Sequence, residues 1–389
     1  MSITIIHAAR AFTPLEEISD AAVVFDDGRI VSVGPRAGVT VPAGAREISA
    51  RDATVAPGFV DVHVHGAGGH DVMSSTPEAL TTIAGTVARR GTTSLVATTV
   101  TAPPDETRRC LEGISRFILS PANRNADVSA EILGIHLEGP FISPMRRGVH
   151  PAGAIANPSV TLLDRYLDAA GGTVKILTLA PEIPGALDLV ERGYAKGLVV
   201  ALGHTDATYQ QAHTAIFRGA RHAVHVFNAM RPFSHRETGV LGAVLTDPSV
   251  TAEVIADGVH VDDPAIRLLL AAKGTDLVLL VSDGTAATGM RDGSYRLGTF
   301  DVTVSDGICR NREGKLAGST LTLDRAVQHM VRLGVPVIEA IRMATYNPAR
   351  RIGMEARKGT VAPGADADLV LLTPELKIAN VFARGVSLS

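Results

Sequence analysis

Cysteine is nearly missing from this chain: Cys110 and Cys309 are the only two in 389 residues, and neither stands at a metal-type spacing. Two isolated thiols build no disulfide framework and fit buried bystanders in a reducing cytoplasm. An excess of positive charge is missing as well. The chain has 37 Lys and Arg against 40 Asp and Glu, for a net charge of -3. That leaves no basic field for nucleic acid or for an anionic membrane. No window approaches eighteen unbroken apolar residues, so no segment reads as a bilayer span. The opening MSITIIHAARAFTP has neither a basic n-region nor a long apolar stretch, and it is not expected to act as a secretory signal. Internal repeats and low-complexity tracts are absent. What remains is 46% apolar and 20% charged, the composition of a soluble globular protein with a large core. This length suits a large barrel plus an accessory domain.

The two ends share one texture and the middle has another. Residues 1–56 read as short strands, SITIIHA, AAVVFDDGRIVSVG and EISARDATV, with a hairpin signal at Asp27-Gly28. The last residues, 353–389, return to it in KGTVAPGADADLVLLT and ELKIANVFARG. A lone strand pair is not stable, so a small β-sandwich domain built from both chain ends is expected. Between them, residues 57–352 alternate apolar runs with amphipathic helical stretches. The strand candidates are 58–65, 92–100, 131–139, 174–182, 198–205, 222–228, 252–258 and 277–284. Apolar strands separated by helices mean a covered parallel sheet, and eight such units predict a (β/α)8 barrel of the TIM type. TGVLGAVLTDPS makes a short, glycine-rich sixth helix. SYRLGTFDVTVSDGICRNREGKLAGS reads as a hairpin insertion turning at Asp306-Gly307.

A barrel of this kind carries its chemistry at the carboxyl ends of its strands. The first strand ends in His63 and His65, the third in Glu138, the fifth in His204 and the eighth in Asp283; the sixth carries His225. Strand alternation aims His63 and His65 the same way, and sets His225 in phase with Ala223 and Phe227, with His222 on the other face. Each residue alone has an ordinary account. A solvated acid ends many strands, HxH pairs arise by chance, a lone histidine is more often packed or exposed than a ligand, and Asp before Gly is usually a turn or a helix cap. Four histidines and two carboxylates converging on one end point instead to a divalent ion, because imidazole and carboxylate suit zinc and iron. His136, two residues below Glu138, fits either a supporting role or plain packing.

The run PGFVDVHVHG resembles the first-strand signature of the amidohydrolase superfamily. HLEGPFIS, RRGVHP, LAPE, GHTDA, HVFNAM, HRETG, DGVHVD, VSDGT and LAGSTL, in this order, resemble the N-acetylglucosamine-6-phosphate deacetylase family over nearly the whole chain. The resemblance implies a metal-dependent hydrolase that takes acetate off an amino-sugar phosphate, with zinc or iron as one or two ions per subunit. It makes Glu138, His204 and His225 the principal ligands and adds His63 and His65 as a second position with Glu138 bridging. By the same resemblance Asp283 is the acid/base and His150 polarises the amide carbonyl. Val149, Asn228, Ala229, Arg236, His260 and the Leu316-Ala317-Gly318 loop would hold the sugar and its phosphate. It further implies a cytoplasmic homodimer, to whose shared sites Arg236 and His260 are the candidate contributors. Thr238 departs from the proline expected in the HRExG loop. Galactosamine-6-phosphate deacetylases resemble the chain almost as well. D-aminoacylases and cyclic amidases use a carboxylated lysine at a strand end, where none stands here, and a non-catalytic scaffold would have lost ligands that are all present.

Overall fold

The computed structural model describes residues 3–124 and 129–388. One layer is a seven-stranded sheet from both ends of the chain. Its central strand, Arg46–Pro57, runs parallel to Thr4–Phe12 on one side and antiparallel to Leu369–Leu372 on the other. Asp27 (φ 44°) and Gly28 (φ 75°) turn Glu17–Asp26 into Arg29–Pro35, the pair of positive φ values that a tight two-residue hairpin requires. Gly28 and Ile30 hydrogen-bond the segment at Gly364–Ala367, so the sheet curls round its own core of Ile6, Val23, Phe25, Ile30, Leu369 and Phe382. This is the β domain expected from the two ends.

The second layer is the barrel. Eight parallel strands follow one another in chain order: Phe59–Val64, Thr92–Thr98, Glu131–Glu138, Val174–Leu179, Val199–Leu202, His222–Ala223, Thr251–Val254 and Val278–Leu280. It closes where Asp283 N–H donates to His63 O (3.0 Å) and His65 N–H to Gly284 O (2.8 Å). The first three strands are buried along their whole length, as a sheet covered by helices must be. The helices are started by local chemistry. Thr76 caps Pro77–Ala88, and Thr208 with Gln211 forms a reciprocal capping box on Tyr209–Arg218. The short sixth helix is there as Gly239–Thr246; being apolar all round, it is buried from Gly239 to Leu245.

Two expectations need correction. The insertion has three strands rather than a simple hairpin: Gly293–Leu297, Phe300–Ser305 and Ile308–Asn311, with the turn at Asp306-Gly307 as read. Its Leu297, Val302, Val304 and Cys309 pack with Val100, Ala287 and Ala317 beside the barrel mouth. Several barrel strands also stop short, and this reverses the assignment of faces around His225. The sixth strand is only His222–Ala223, in register with Thr251–Ala252. His222 therefore shares its face with Glu253 and points into the barrel, hydrogen-bonding that carboxylate at 2.9 Å. His225 reaches the mouth because its own backbone is left-handed (φ 29°), as it is at His204 (φ 48°) and Asp283 (φ 50°). Strand alternation does not extend through such turns. No helix among the described residues is long and apolar enough to cross a membrane.

Candidate metal centre and active site

Glu138 sits at the centre of the mouth, 2% exposed. Its Oε1 lies 3.1 Å from His225 Nε2 and 3.3 Å from His204 Nε2, and those two nitrogens are 3.1 Å apart. Bonds of about 2.0–2.2 Å to a tetrahedral ion put donor atoms roughly 3.3–3.6 Å apart, so this triangle is close to the size of a coordination shell. A second corner adjoins it. His63 Nε2 is 3.3 Å from both Glu138 Oε1 and His65 Nε2, while His65 Nε2 is 3.3 Å from Glu138 Oε2 and 3.2 Å from Asp283 Oδ1.

The proton positions fit a cation. His204 Nδ1 donates to Arg146 O (3.0 Å) and His63 Nδ1 to Glu253 Oε2 (2.9 Å); each ring, in its neutral form, then turns a bare Nε2 into the cluster, the form that binds metal. His65 and His225 leave Nδ1 buried without a partner, so their polar engagement is all at Nε2. Among the described residues, the ion-pair partners of Glu138, Glu253 and Asp283 are histidines throughout, without one Lys or Arg.

Charge follows from that packing. Burial pushes Glu138 up, but the charge of a protonated His63 and the close approach of the His150 and His204 rings outweigh it and hold it well below the usual carboxylate range. Asp283 is raised by burial and lowered more by His65 and His63, to about 2. Burial lowers His65, yet its bonds to Asp283 and Glu138 lift it to about 9. His204 falls to about 4 through burial and the neighbouring His150, the neutral state of a ligand. The acids thus stay ionised and draw in positive charge, which a proton or a metal ion can supply.

The pocket above the cluster is small, about 170 Å³, and is lined by His65, Glu138, Val149, His150, His204, His225, Asn228, Ala229, His260, Asp283, Leu316 and Gly318 among others. Most of the expected binding residues therefore meet in one chain. His260 lines its own chain's pocket, held by Asp257 at 2.7 Å, and so is not a residue that only a partner subunit could bring. Ala317 turns away into the apolar cluster under the insertion. Arg236 is exposed on the 234–237 turn and does not line the pocket. That turn is braced despite Thr238: Glu237 accepts from Arg231 (2.8 Å) and from Gly239 N–H (3.1 Å). His136 packs beneath, bonded to Thr178 at 2.7 Å and pushed down to about 3 by burial and the His63 charge.

Sequence reasoning missed three supporting groups. Glu253 joins His63, His222 and the His225 backbone, and its only signal was an acid inside the apolar run AEVIA. Asp61, two residues before His63, accepts the N–H groups of His63 (3.2 Å) and Ser282 (3.3 Å), pinning the first strand to the eighth. Thr101 donates its N–H to His150 Nδ1 at 3.2 Å.

A strand-end cluster of histidines and carboxylates in an eightfold barrel defines a class of hydrolase, and the chain belongs to it: the amidohydrolase family matches residues 54–388. Within that family the chain is similar to N-acetylglucosamine-6-phosphate deacetylase of Bacillus subtilis, 34% identical over 96% of this chain and 94% of that protein. It is equally similar to N-acetylgalactosamine-6-phosphate deacetylase of Escherichia coli O157:H7, 36% identical over 98% of both. Among solved structures, an N-acetyl-D-glucosamine-6-phosphate deacetylase mutant from Mycobacterium smegmatis, in complex with N-acetyl-D-glucosamine-6-phosphate, superposes with a TM-score of 0.93 at 36% identity, covering all of both chains.

Proposed function

We propose that this chain hydrolyses the N-acetyl amide of N-acetylglucosamine 6-phosphate, giving glucosamine 6-phosphate and acetate. The observation that carries the reading is the 3.1–3.3 Å triangle of Glu138, His204 and His225 in a chain alike over its full length to deacetylases of such substrates. Those three residues would hold one zinc or iron ion. His63 and His65, with Glu138 between, would hold a second.

When bound, a divalent ion lowers the pKa of its water from 15.7 to about 7. The remaining work falls to side chains. Asp283, ionised at neutral pH, takes the proton of the attacking water as its oxygen bonds to the amide carbon. It returns that proton to the nitrogen as the C–N bond breaks, so acetic acid and the amine leave; the acid's remaining proton then passes to the amine or to solvent, giving acetate. His150 faces the developing negative oxygen. Because Thr101 N–H occupies its Nδ1, the ring carries its proton on Nε2, where it can donate to that oxygen. Asn228, whose buried Nδ2 has no partner, together with Val149, Ala229, His260, Leu316 and Gly318, encloses the sugar. Arg236 lies outside its own chain's pocket, three residues after Phe233, which is 53% exposed. A homodimer in which Arg236 reaches across to the other subunit's phosphate fits both facts. Two free, buried thiols fit a cytoplasmic protein.

Equal likeness to an N-acetylgalactosamine-6-phosphate deacetylase favours that epimer as a second reading. Acetate release from both 6-phosphorylated N-acetylhexosamines, and from their unphosphorylated forms, separates the readings. Turnover of the glucosamine epimer with at least tenfold preference for the phosphate ester is expected; no release from either ester overturns the assignment.

A further inference from the structure

One buried carboxylate beneath the site has three donors converging on it. Glu253 lies in the seventh barrel strand, fully enclosed. Its Oε2 is 2.9 Å from His63 Nδ1 and 3.2 Å from His225 N–H, and its Oε1 is 2.9 Å from His222 Nε2. His222 is itself fixed on its other side by Thr251 Oγ1 at 2.7 Å, so the carboxylate cannot swing away. A carboxylate only accepts. His63 must therefore keep a hydrogen on Nδ1, so that Nε2, 3.3 Å from both Glu138 and His65, is the nitrogen left to meet a cation.

We propose that Glu253 is the positioning residue that makes the His63–His65–Glu138 corner a cation site, by locking the His63 ring and its tautomer, while the Glu138–His204–His225 corner binds its ion without that help. This rests on reading the cluster as a metal centre. His204 takes its tautomer from the Arg146 carbonyl instead, and Glu253 touches His225 only through the backbone. The two corners thus have separate supports. An amide in place of the carboxylate has one acceptor oxygen for three donors, and its NH2 can donate to His63 Nδ1. That would move the ring hydrogen to Nε2 and block the corner.

The test is metal binding rather than turnover. Full-length apoprotein, wild type and Glu253→Gln, is titrated with Co(II), reading stoichiometry by equilibrium dialysis and the visible cobalt spectrum. Wild type should take two ions per subunit. Glu253→Gln should keep one at unchanged affinity and weaken the other about 10–100-fold, the usual consequence of losing a ligand's hydrogen-bond partner. His63→Ala should lose the same ion, and adding Glu253→Gln to it should cost nothing further. Should Glu253→Gln not fold, Glu253→Asp, which keeps the charge on a shorter arm, takes its place with the same expectation of selective weakening. A variant that binds both ions like wild type, one that loses both equally, or a wild type that binds one ion overturns the proposal. A wild type that binds none overturns the metal centre itself, and is distinguishable on that account.

Discussion

Two glutamates stand at the two ends of one strand, Glu131 and Glu138, roughly 23 Å apart at about 3.3 Å per residue. Both are buried, and their surroundings differ in one respect. Glu131, at the base of the barrel, is met by the chain's own cations: Arg357 bidentately at 2.8 and 2.9 Å, and Lys358 at 2.9 Å. Asp366 and Asp368 complete that cluster, with Lys358 within 2.8 Å of each and Arg29 on Asp366 at 2.8 Å. Three carboxylates there face three close cations, with Arg124 a fourth at 4.0 Å from Glu131, joining the β domain to the barrel. At the mouth and just beneath it, the ion-pair partners of Glu138, Glu253 and Asp283 among the described residues are all histidines. Buried acids need compensating charge. The base carries its own, and the mouth must import it. A cluster that imports charge is one that binds an ion, whereas a self-balanced cluster is a clamp.

The largest effect that could break this contrast is on turnover. Asp283→Asn should lower kcat by about 10²–10⁴-fold while metal content, read by elemental analysis, stays at the wild-type value; near-normal kcat would remove Asp283 from the chemistry. Next comes the clamp. Lys358→Met leaves Asp368 buried against an apolar chain and takes one cation each from Glu131 and Asp366, and removing one partner of a buried pair typically costs about 3–5 kcal/mol, readable in urea unfolding. The folded fraction should keep its kcat, since the change lies at the far end of the barrel.

A third prediction concerns acid. Burial raises Glu131, but Arg357 and Lys358 outweigh it and lower it from 4.5 to about 2. Its folded value lies below the unfolded one, so its contribution is present above pH 4.5 and disappears as pH falls toward 2. At about 1.4 kcal/mol per pH unit this amounts to about 3 kcal/mol. Unfolding free energy measured across that window should fall in the wild type and fall less in Glu131→Gln. The smallest effect is on the mouth: a chelator should lower the unfolding free energy by about 2.7 kcal/mol if the free metal had been near 100 times its Kd. The same chelator should leave the Lys358 clamp untouched, so wild type and Lys358→Met should lose equal amounts.

The contrast also marks what a sequence makes legible. Glu138, His63 and His65 could be read because an acid or an HxH pair on an apolar strand has few explanations, and the order of strands gave the barrel. His225 reaches the cluster, but not by the alternation read from the sequence: the strand ends at Ala223, and no pattern of alternation announces a left-handed residue two positions on. Glu253 was passed over because an isolated acid in an apolar run has no spacing to reveal its partners. Nor did anything local in the ARKGTVAPGADADLV stretch point to Glu131, which lies 226 residues before Arg357. Contacts of that span come from how the two ends close on the barrel.

The left-handed turns at His204, His225 and Asp283 limit what can replace those residues. Outside glycine, the side chains that tolerate such backbone best are Asn, Asp and His, and two of those three are also good ligands. Main-chain shape and coordination chemistry therefore select the same short alphabet at each position. A β-branched substitute would fail twice, first as a donor and then as a fit to its own peptide, whereas Asn at any of them keeps the bend and isolates the loss of the donor.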